Sequence, residues 1–253
     1  MPFKSSKIVY GLPQDAYAQQ TVNAYLEDLK QTVHLTNEPV GVKFLFTDQE
    51  YEACPVPELR GSMAYCVMVK QATRGISCKS CLEHHKCDGG TTALALERST
   101  EHIENGAEYF SYNLYATQTA ARRHRAQIAS LHAELPLTRG IVIGPLKSFT
   151  VTPDVIILVV NPYQAMRLVQ GYEYETGIKP CIDMGAMQAM CAECTAYPYK
   201  SGSMNVSVLC PSTRILCGWD HSDMAVGIPF EQFTRIVAGV VSTAGTVDKP
   251  EKA

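Results

Sequence analysis

Residues 141–177 read IVIGPLKSFTVTPDVIILVVNPYQAMRLVQGYEYETG, and this segment constrains the fold most strongly. Two apolar runs, 141–143 and 155–160, have the length and the β-branched content of buried strands. Asn161 is a good helix N-cap, and Pro162 follows at the first helical position, where proline is favoured. The segment therefore predicts two strands, the second of which leads directly into a helix.

The junction between the second strand and this helix is also a candidate binding site. A strand that runs directly into a capped helix leaves backbone N–H groups free, and such groups recurrently bind anions. We therefore treat Asn161 as a candidate contact for an anionic substrate. The alternative is that the junction is purely structural.

The rest of the chain alternates between helical and extended patterns. Helical periodicity occurs at 15–33, 91–99, 117–134 and 229–241. Strand patterns occur at 39–46, 204–210 and 223–228, and residues 64–70 fit either a strand or a short helix.

No Gly/Ser-rich linker divides the chain into separate units. We therefore predict a single α/β or α+β domain over residues 14–241, in which a mixed sheet is flanked by helices. Residues 1–13 are predicted to form an N-terminal arm and residues 242–253 a flexible tail.

Composition and charge exclude several classes of function. The chain has 253 residues, is 46% hydrophobic and carries a formal net charge of −3. This charge predicts no binding to nucleic acid or to anionic membranes. The apolar run 155–160 is too short to cross a bilayer, and the N-terminus lacks the apolar core of a signal peptide. We therefore expect a cytoplasmic protein.

Ten cysteines are unusual in such a protein, because the cytosol disfavours disulfides. Cys78, Cys81 and Cys87 form a C-x2-C-x5-C pattern, and Cys191 and Cys194 form a second C-x2-C pair. Two intervening residues allow both sulfur atoms to turn towards one centre, so this spacing recurs in zinc and iron–sulfur sites. Clustered thiols therefore predict a metal centre.

Several identities are open for this centre. A [4Fe–4S] cluster would take four thiolates from the predicted ligands, which are Cys66, Cys78, Cys81, Cys87, Cys191 and Cys194. Zinc, the alternative cofactor, would bind the 78–87 loop with His84 or His85, or with the remote cysteine pair. The remaining alternatives are a redox-active Cys191–Cys194 dithiol and free buried thiols. We prefer the iron–sulfur cluster, and expect both histidines to be surface residues.

A basic stretch, ARRHRAQ, suggests where a substrate would bind. Arg122 and Arg123 would either form a solvated helix face or bind an anionic ligand. The preferred function is thus an iron–sulfur protein in electron transfer or in redox chemistry on a small anionic substrate. A redox partner protein and a homo-oligomer are also considered. The competing function is a zinc-stabilised module that binds a ligand or a protein without catalysis.

Seven motifs carry a resemblance to a known family. In chain order they are PVGVKFL, YCVMVKQATRG, CDGG, GPL, PDVIILVVNPYQAMRLVQGYEYETG, NVSVLC and GIPF. Over residues 36–240 the chain resembles the archaeal and bacterial family called domain of unknown function 169. The resemblance implies a rival ligand set of Cys66, Cys87, Cys191 and Cys210, with Cys78, Cys81 and Cys194 as an elaboration. It also implies an anaerobic prokaryotic setting, which suits an oxygen-sensitive cluster.

Overall fold

A computed structural model describes residues 16–131 and 137–247 of the chain. In this part of the chain, one sheet has the strand order β2-β3-β1-β4-β6-β5. Its strands are β1 (Val40–Leu45), β2 (Cys78–Ser80), β3 (Gly140–Pro145), β4 (Val155–Val160), β5 (Asn205–Ser207) and β6 (Met224–Pro229).

The prediction of a single α/β domain with a sheet flanked by helices is confirmed. The sequence predicts a mixed sheet, whereas each pair of neighbouring strands in the structure is antiparallel. The difference has a topological cause. Strands β3 and β4 are consecutive and run parallel to each other, but β1 lies between them and pairs with both.

The helices come from segments before, between and after the strands. They are α1 (Ala16–Val33), α2 (Asp48–Ala53), α3 (Tyr65–Ala72), α4 (Asp88–Ala93), α5 (Glu101–Glu104), α6 (Ala107–Ser111), α7 (Gln118–Arg125), α8 (Pro162–Glu173), α9 (Tyr197–Ser201), α10 (Pro211–Cys217) and α11 (Phe230–Val247). A π-helix spans Ala189–Ala196, and short 3₁₀ helices span Leu82–His84 and Leu146–Ser148.

Strand β4 shows how the sheet separates two helical layers. All of its residues are buried, and alternate side chains enter opposite cores. Ile156, Leu158 and Val160 pack with residues of α1, α8 and α11. Val155, Ile157 and Val159 pack in the core that contains α3, the π-helix and most of the buried cysteines. The second layer is therefore the cysteine-rich one.

The strand-to-helix junction at Asn161 is a complete capping box. The Asn161 side chain accepts a hydrogen bond from the Gln164 N–H, and the Gln164 side chain accepts one from the Asn161 N–H, both at 2.9 Å. The Gln164 amide also donates to the carbonyl oxygens of Val33 and His34. Asn161 thus starts α8, and Gln164 joins this helix to the end of α1.

Three local predictions differ from the structure. Residues 64–70, for which a strand was one option, contribute to helix α3 because their buried side chains recur at helical spacing. The helix predicted over 117–134 ends at Arg125, and residues 132–136 lie outside the described part of the chain. Helix α11 continues to Val247, through residues predicted to belong to the tail. The predicted arm at 1–13 lies outside the described residues.

Apolar length provides one further observation. Among the helices in the described ranges, none combines the length and the hydrophobicity that a membrane span needs.

Candidate metal centre

Four cysteines occupy similar positions in four separate helical segments of the second layer. Each lies within or just before the first turn, and the four are Cys66 in α3, Cys87 before α4, Cys191 in the π-helix and Cys210 before α10. Helix α3 contacts both α10 and the π-helix, and the π-helix also contacts α4. The beginnings of these segments therefore meet. We call these residues the four-cysteine centre.

The thiols of the centre are close enough to affect one another's ionisation. Burial raises the pKa of Cys191 well above its ordinary value, and the other three thiols raise it further. Cys87 is the most exposed member, yet removal of water from around its sulfur raises its pKa, and Cys66 and Cys210 contribute. Four thiolates would therefore repel one another here without a cation. Such a site either keeps its protons or binds a metal.

Backbone N–H groups oppose this repulsion at each sulfur atom. At Cys210, the N–H of Thr213 lies 3.4 Å from Sγ. The N–H groups of Gly90 and Ala192 act on Cys87 and Cys191, and each lowers the pKa of its thiol against the larger effect of burial. The N–H of Val67 acts in the same direction on Cys66. These donors stabilise thiolates, the form in which cysteine binds metals.

A fifth cysteine, Cys217, supports Cys66. Its thiol donates to the carbonyl oxygen of Cys66 at 3.3 Å. The side-chain hydrogen bond from Cys217 lowers the pKa of Cys66 to about 7, and the same interaction raises the pKa of Cys217. Cys66 therefore loses its proton more readily than an ordinary cysteine, whereas Cys217 retains its proton.

Close packing between Gly89 and Gln188 joins two walls of the centre. Gln188 precedes the π-helix with a left-handed backbone, φ 52°, and its side-chain amide donates to the Tyr109 hydroxyl at 2.8 Å. A Cβ atom on Gly89 would lie 2.3 Å from the Gln188 Nε2 atom. The glycine after Asp88 in the CDGG motif thus leaves room for the segment that leads to Cys191.

The four sulfur atoms are not gathered at a point. In any three of them, at least one pair is more than 4.8 Å apart. A single tetrahedral zinc ion, with Zn–S bonds of about 2.3 Å, would place its sulfur ligands about 3.8 Å apart. Each cysteine of a [4Fe–4S] cluster binds a different iron atom, so a cluster spaces its ligands more widely.

Comparison with known proteins agrees with the sequence motifs. The family described as domain of unknown function 169, uncharacterised ArCR, matches residues 28–239. The chain belongs to this family. It is similar to the uncharacterized protein MJ0308 of Methanocaldococcus jannaschii, with 26% identity over 228 residues that cover 87% of this chain and 94% of that protein. Solved structures give no match.

The structure divides the six cysteines that the sequence predicts as ligands. Cys66, Cys87 and Cys191 enter the four-cysteine centre, and Cys210 completes it in agreement with the set that the family resemblance implies. Burial alone raises the pKa of Cys78, to about 11, and no neighbouring thiol contributes. Cys78 lies in β2, the strand at the edge of the sheet.

The other two predicted ligands have different neighbours. Cys194 is fully buried, and its pKa is raised by burial, then by the Glu193 charge and, among the four thiols, by Cys210 alone. Cys81 lies beyond the end of β2, beside His84 and Glu58. The C-x2-C spacing does not bring either pair to one point. Cys78 begins strand β2 and Cys81 lies beyond its end, and the π-helix holds Cys191 and Cys194 three positions apart.

Cys210 is the member that local spacing did not indicate. It is the N-cap of α10, with proline at the next position, and its Sγ accepts the N–H of Thr213. A cysteine in the N-cap place of a Pro-initiated helix is a signal that the sequence contains. This signal predicts that the thiol faces the start of a helix. It does not predict where in the folded molecule that helix start lies.

A cavity of about 430 Å³ opens beside the π-helix. Arg123 and His124 line it from α7, and Ala192, next to Cys191, lines it from the π-helix. The Tyr115 hydroxyl and His124 Nδ1 are 2.7 Å apart, while burial lowers the pKa of His124. Of the three predicted substrate contacts, Arg123 faces this cavity. Arg122 does not line it, and Asn161 belongs to the opposite layer.

Proposed function

We propose that the four-cysteine centre holds a [4Fe–4S] cluster and that the protein serves in electron transfer or in redox chemistry on a small substrate. One observation carries the proposal: four thiols from separate helical segments converge, and each has a backbone N–H donor. A cluster with four thiolates is anionic, and N–H groups directed at its sulfur atoms stabilise that charge and adjust the reduction potential.

The spacing of the sulfur atoms supports a cluster in preference to zinc. In every set of three, at least one pair of sulfur atoms is more than 4.8 Å apart, which exceeds the spacing around one tetrahedral ion. A zinc-stabilised binding module is the competing function, and there the more distant thiols would have to move closer together.

Electrons would enter or leave at the exposed side of the centre. Cys87 is its one solvent-exposed cysteine, and the neighbouring Lys86 is exposed as well. A redox partner protein would dock there, where the cluster would lie nearest to solvent. The other thiols, at 6–9% exposure, are shielded from water.

The cavity beside the π-helix is the proposed substrate site. Ala192 separates it from Cys191 by a single peptide unit, so a bound molecule would lie beside the cluster. The guanidinium of Arg123 would bind an acidic group of the substrate, and His124 offers a ring nitrogen for a hydrogen bond. A cluster held by the four cysteines would supply one-electron chemistry, and the redox partner would be the source or the acceptor of the electrons.

Anaerobic purification tests the proposal directly. We expect brown protein with broad absorption near 400 nm and about four iron and four sulfide per chain. Cys87→Ser and Cys210→Ser should each lower the iron content severely. Cys78→Ser, a change in a buried thiol outside the centre, and Cys181→Ser, a change in an exposed one, should leave it unchanged.

Two results would overturn the proposal. One is colourless protein in which the four-cysteine centre holds a single zinc ion, since this would establish the competing function. The other is a full complement of iron in both Cys87→Ser and Cys210→Ser while Cys78→Ser loses it, because the ligands would then lie elsewhere.

A further inference from the structure

A second group of donor atoms lies beyond the end of strand β2, outside the four-cysteine centre. Cys81 follows the strand, and the 3₁₀ helix Leu82–His84 then returns the His84 ring to the Cys81 sulfur. The Sγ–Nδ1 distance is 3.2 Å. Glu58 comes from an earlier loop, and its carboxylate lies 3.9 Å from His84 Nε2.

The loop that carries Glu58 is fixed against β2 by backbone hydrogen bonds. The N–H of Lys79 donates to the Pro57 carbonyl oxygen at 2.8 Å, and the N–H of Leu59 donates to the Lys79 carbonyl oxygen at 2.9 Å. Two segments distant in sequence therefore present a thiol, an imidazole and a carboxylate to one point. One ligand atom from each residue lies within 4.8 Å of the others.

We propose that Glu58, Cys81 and His84 bind one Zn²⁺ ion at a site separate from the four-cysteine centre. The three side chains offer the sulfur, nitrogen and oxygen donors that zinc accepts, at bond lengths of about 2.0–2.3 Å. The ion replaces the proton of the Cys81 thiol, which passes to solvent.

The donor set selects the class of metal. A thiolate with an imidazole disfavours Mg²⁺ and Ca²⁺, which prefer oxygen ligands, and favours a borderline or soft ion. Three protein ligands leave the fourth tetrahedral position for water. Glu58 has a side chain that is 52% exposed, so solvent reaches this position.

Neighbouring groups hold the donors as an outer shell would. The Tyr51 hydroxyl donates to the Glu58 carboxylate at 2.6 Å. Lys79 Nζ donates to the carbonyl oxygens of Tyr51 and Cys54, which joins α2 to β2 at the same place. Outer-shell hydrogen bonds of this kind orient metal ligands and reinforce binding.

Local capping explains one contact in this group and leaves the others unexplained. The N–H of Cys81 donates to His84 Nδ1 at 3.1 Å, which is a reciprocal cap of the 3₁₀ helix. Capping requires neither a carboxylate from another loop nor a tyrosine that orients this carboxylate. The convergence of separate segments on the Cys81–His84 pair is the feature that points to a metal.

The ion would also stabilise the path of the chain towards the four-cysteine centre. The N–H of Met63 donates to the His84 carbonyl oxygen at 2.9 Å, and the N–H of Lys86 donates to the Met63 carbonyl oxygen at 3.2 Å. These residues precede Cys66 and Cys87. Zinc at Cys81 and His84 would fix the segment between the two ligands of the first centre.

Metal analysis of the full-length protein tests the site independently of the cluster. Protein purified without chelators should hold one zinc per chain at this site, and Cys81→Ser and His84→Ala should each lower the zinc content by one equivalent. Glu58→Gln, a change at an exposed residue, should weaken zinc binding at least tenfold. The iron content should be unchanged in Cys81→Ser, and Cys210→Ser should lose iron but not this zinc.

Replacement of the zinc by Co²⁺ provides a direct readout. In the wild-type protein a sulfur-to-cobalt charge-transfer band should appear, and it should lose intensity in Cys81→Ser but not in the matched Cys78→Ser control. Circular dichroism of each variant confirms folding. Zinc content and cobalt spectra that are the same in Cys81→Ser as in the wild-type protein would overturn the proposal, whatever metal occupies the four-cysteine centre.

Discussion

The side-chain amide of Gln188 lies directly over Gly89, so close that the glycine has no space for a Cβ atom. The contact connects the loop before α4 with the segment before the π-helix, and these segments carry Cys87 and Cys191. Gly90, which follows Gly89, has room for a side chain. A Cβ atom there would lie 3.7 Å from the Cys87 sulfur, which is an ordinary contact distance.

Gly89→Ala should therefore destabilise the protein and damage the four-cysteine centre. The new methyl group would force the Gln188 amide away from the Tyr109 hydroxyl, and overpacking of this kind costs about 1–3 kcal/mol. Urea unfolding with iron analysis measures both effects. Gly90→Ala is the matched control, and a loss of stability as large as that of Gly89→Ala would contradict the explanation.

Gly227→Ala should be more harmful, because the obstacle is backbone. A Cβ on Gly227 in β6 would lie 2.2 Å from the carbonyl oxygen of Cys194, in the π-helix above the sheet. We expect a loss of about 3 kcal/mol or more in the free energy of unfolding, since neither element can move without repacking. Gly245→Ala in α11 meets no atom within 4 Å and should be neutral or slightly stabilising. Equal effects of the two changes would refute this account.

Lys43→Met should destabilise the protein, because Lys43 belongs to a buried ion pair. Lys43 Nζ lies 2.7 Å from the Asp154 carboxylate, both side chains are largely buried, and the carboxylate also accepts the N–H of Phe44. Removal of the ammonium leaves a buried carboxylate without its counter-ion, at a cost of about 3–5 kcal/mol. The double variant Lys43→Met/Asp154→Leu should recover part of this loss. Thermal unfolding of the three proteins would show whether the single variant is the least stable.

His124 should make stability depend on pH. Burial lowers its pKa below the ordinary 6.5, so the folded protein binds fewer protons at this ring than the unfolded chain does. Its contribution is present above pH 6.5 and is lost as the pH falls from 6.5 through the lower folded-state pKa. The slope of unfolding free energy against pH in this window should be smaller in His124→Gln. An unchanged slope would mean that other groups dominate.

The sequence predicted the parts of the fold that depend on local patterns. The apolar run at 155–160 and the Asn161–Pro162 start became β4 and α8, because strand burial and helix capping depend on adjacent residues. The position of β1 between β3 and β4 was not predictable in this way, since pairing between distant strands is a property of the whole chain. The same limit explains why spacing indicated Cys78 and omitted Cys210.

At the site of Glu58, Cys81 and His84, the sequence underestimated one residue and missed another. The 78–87 loop was predicted to contain a metal site, and His84 was expected to be a surface residue. The structure places the His84 ring against the Cys81 sulfur, with its side chain only 15% exposed. The third donor, Glu58, could not be found from spacing, because hydrogen bonds between Lys79 and a separate loop bring it there.

The positions of the four cysteines along the chain have a consequence for biosynthesis. Cys66 and Cys87 precede the central strands β3 and β4, whereas Cys191 and Cys210 follow them. A nascent chain exposes its first two thiols long before the last two emerge, at a synthesis rate of about 5–20 residues per second. The centre cannot be completed until Cys210 has left the ribosome, so insertion of the proposed cluster would come after nearly all of the protein has been made.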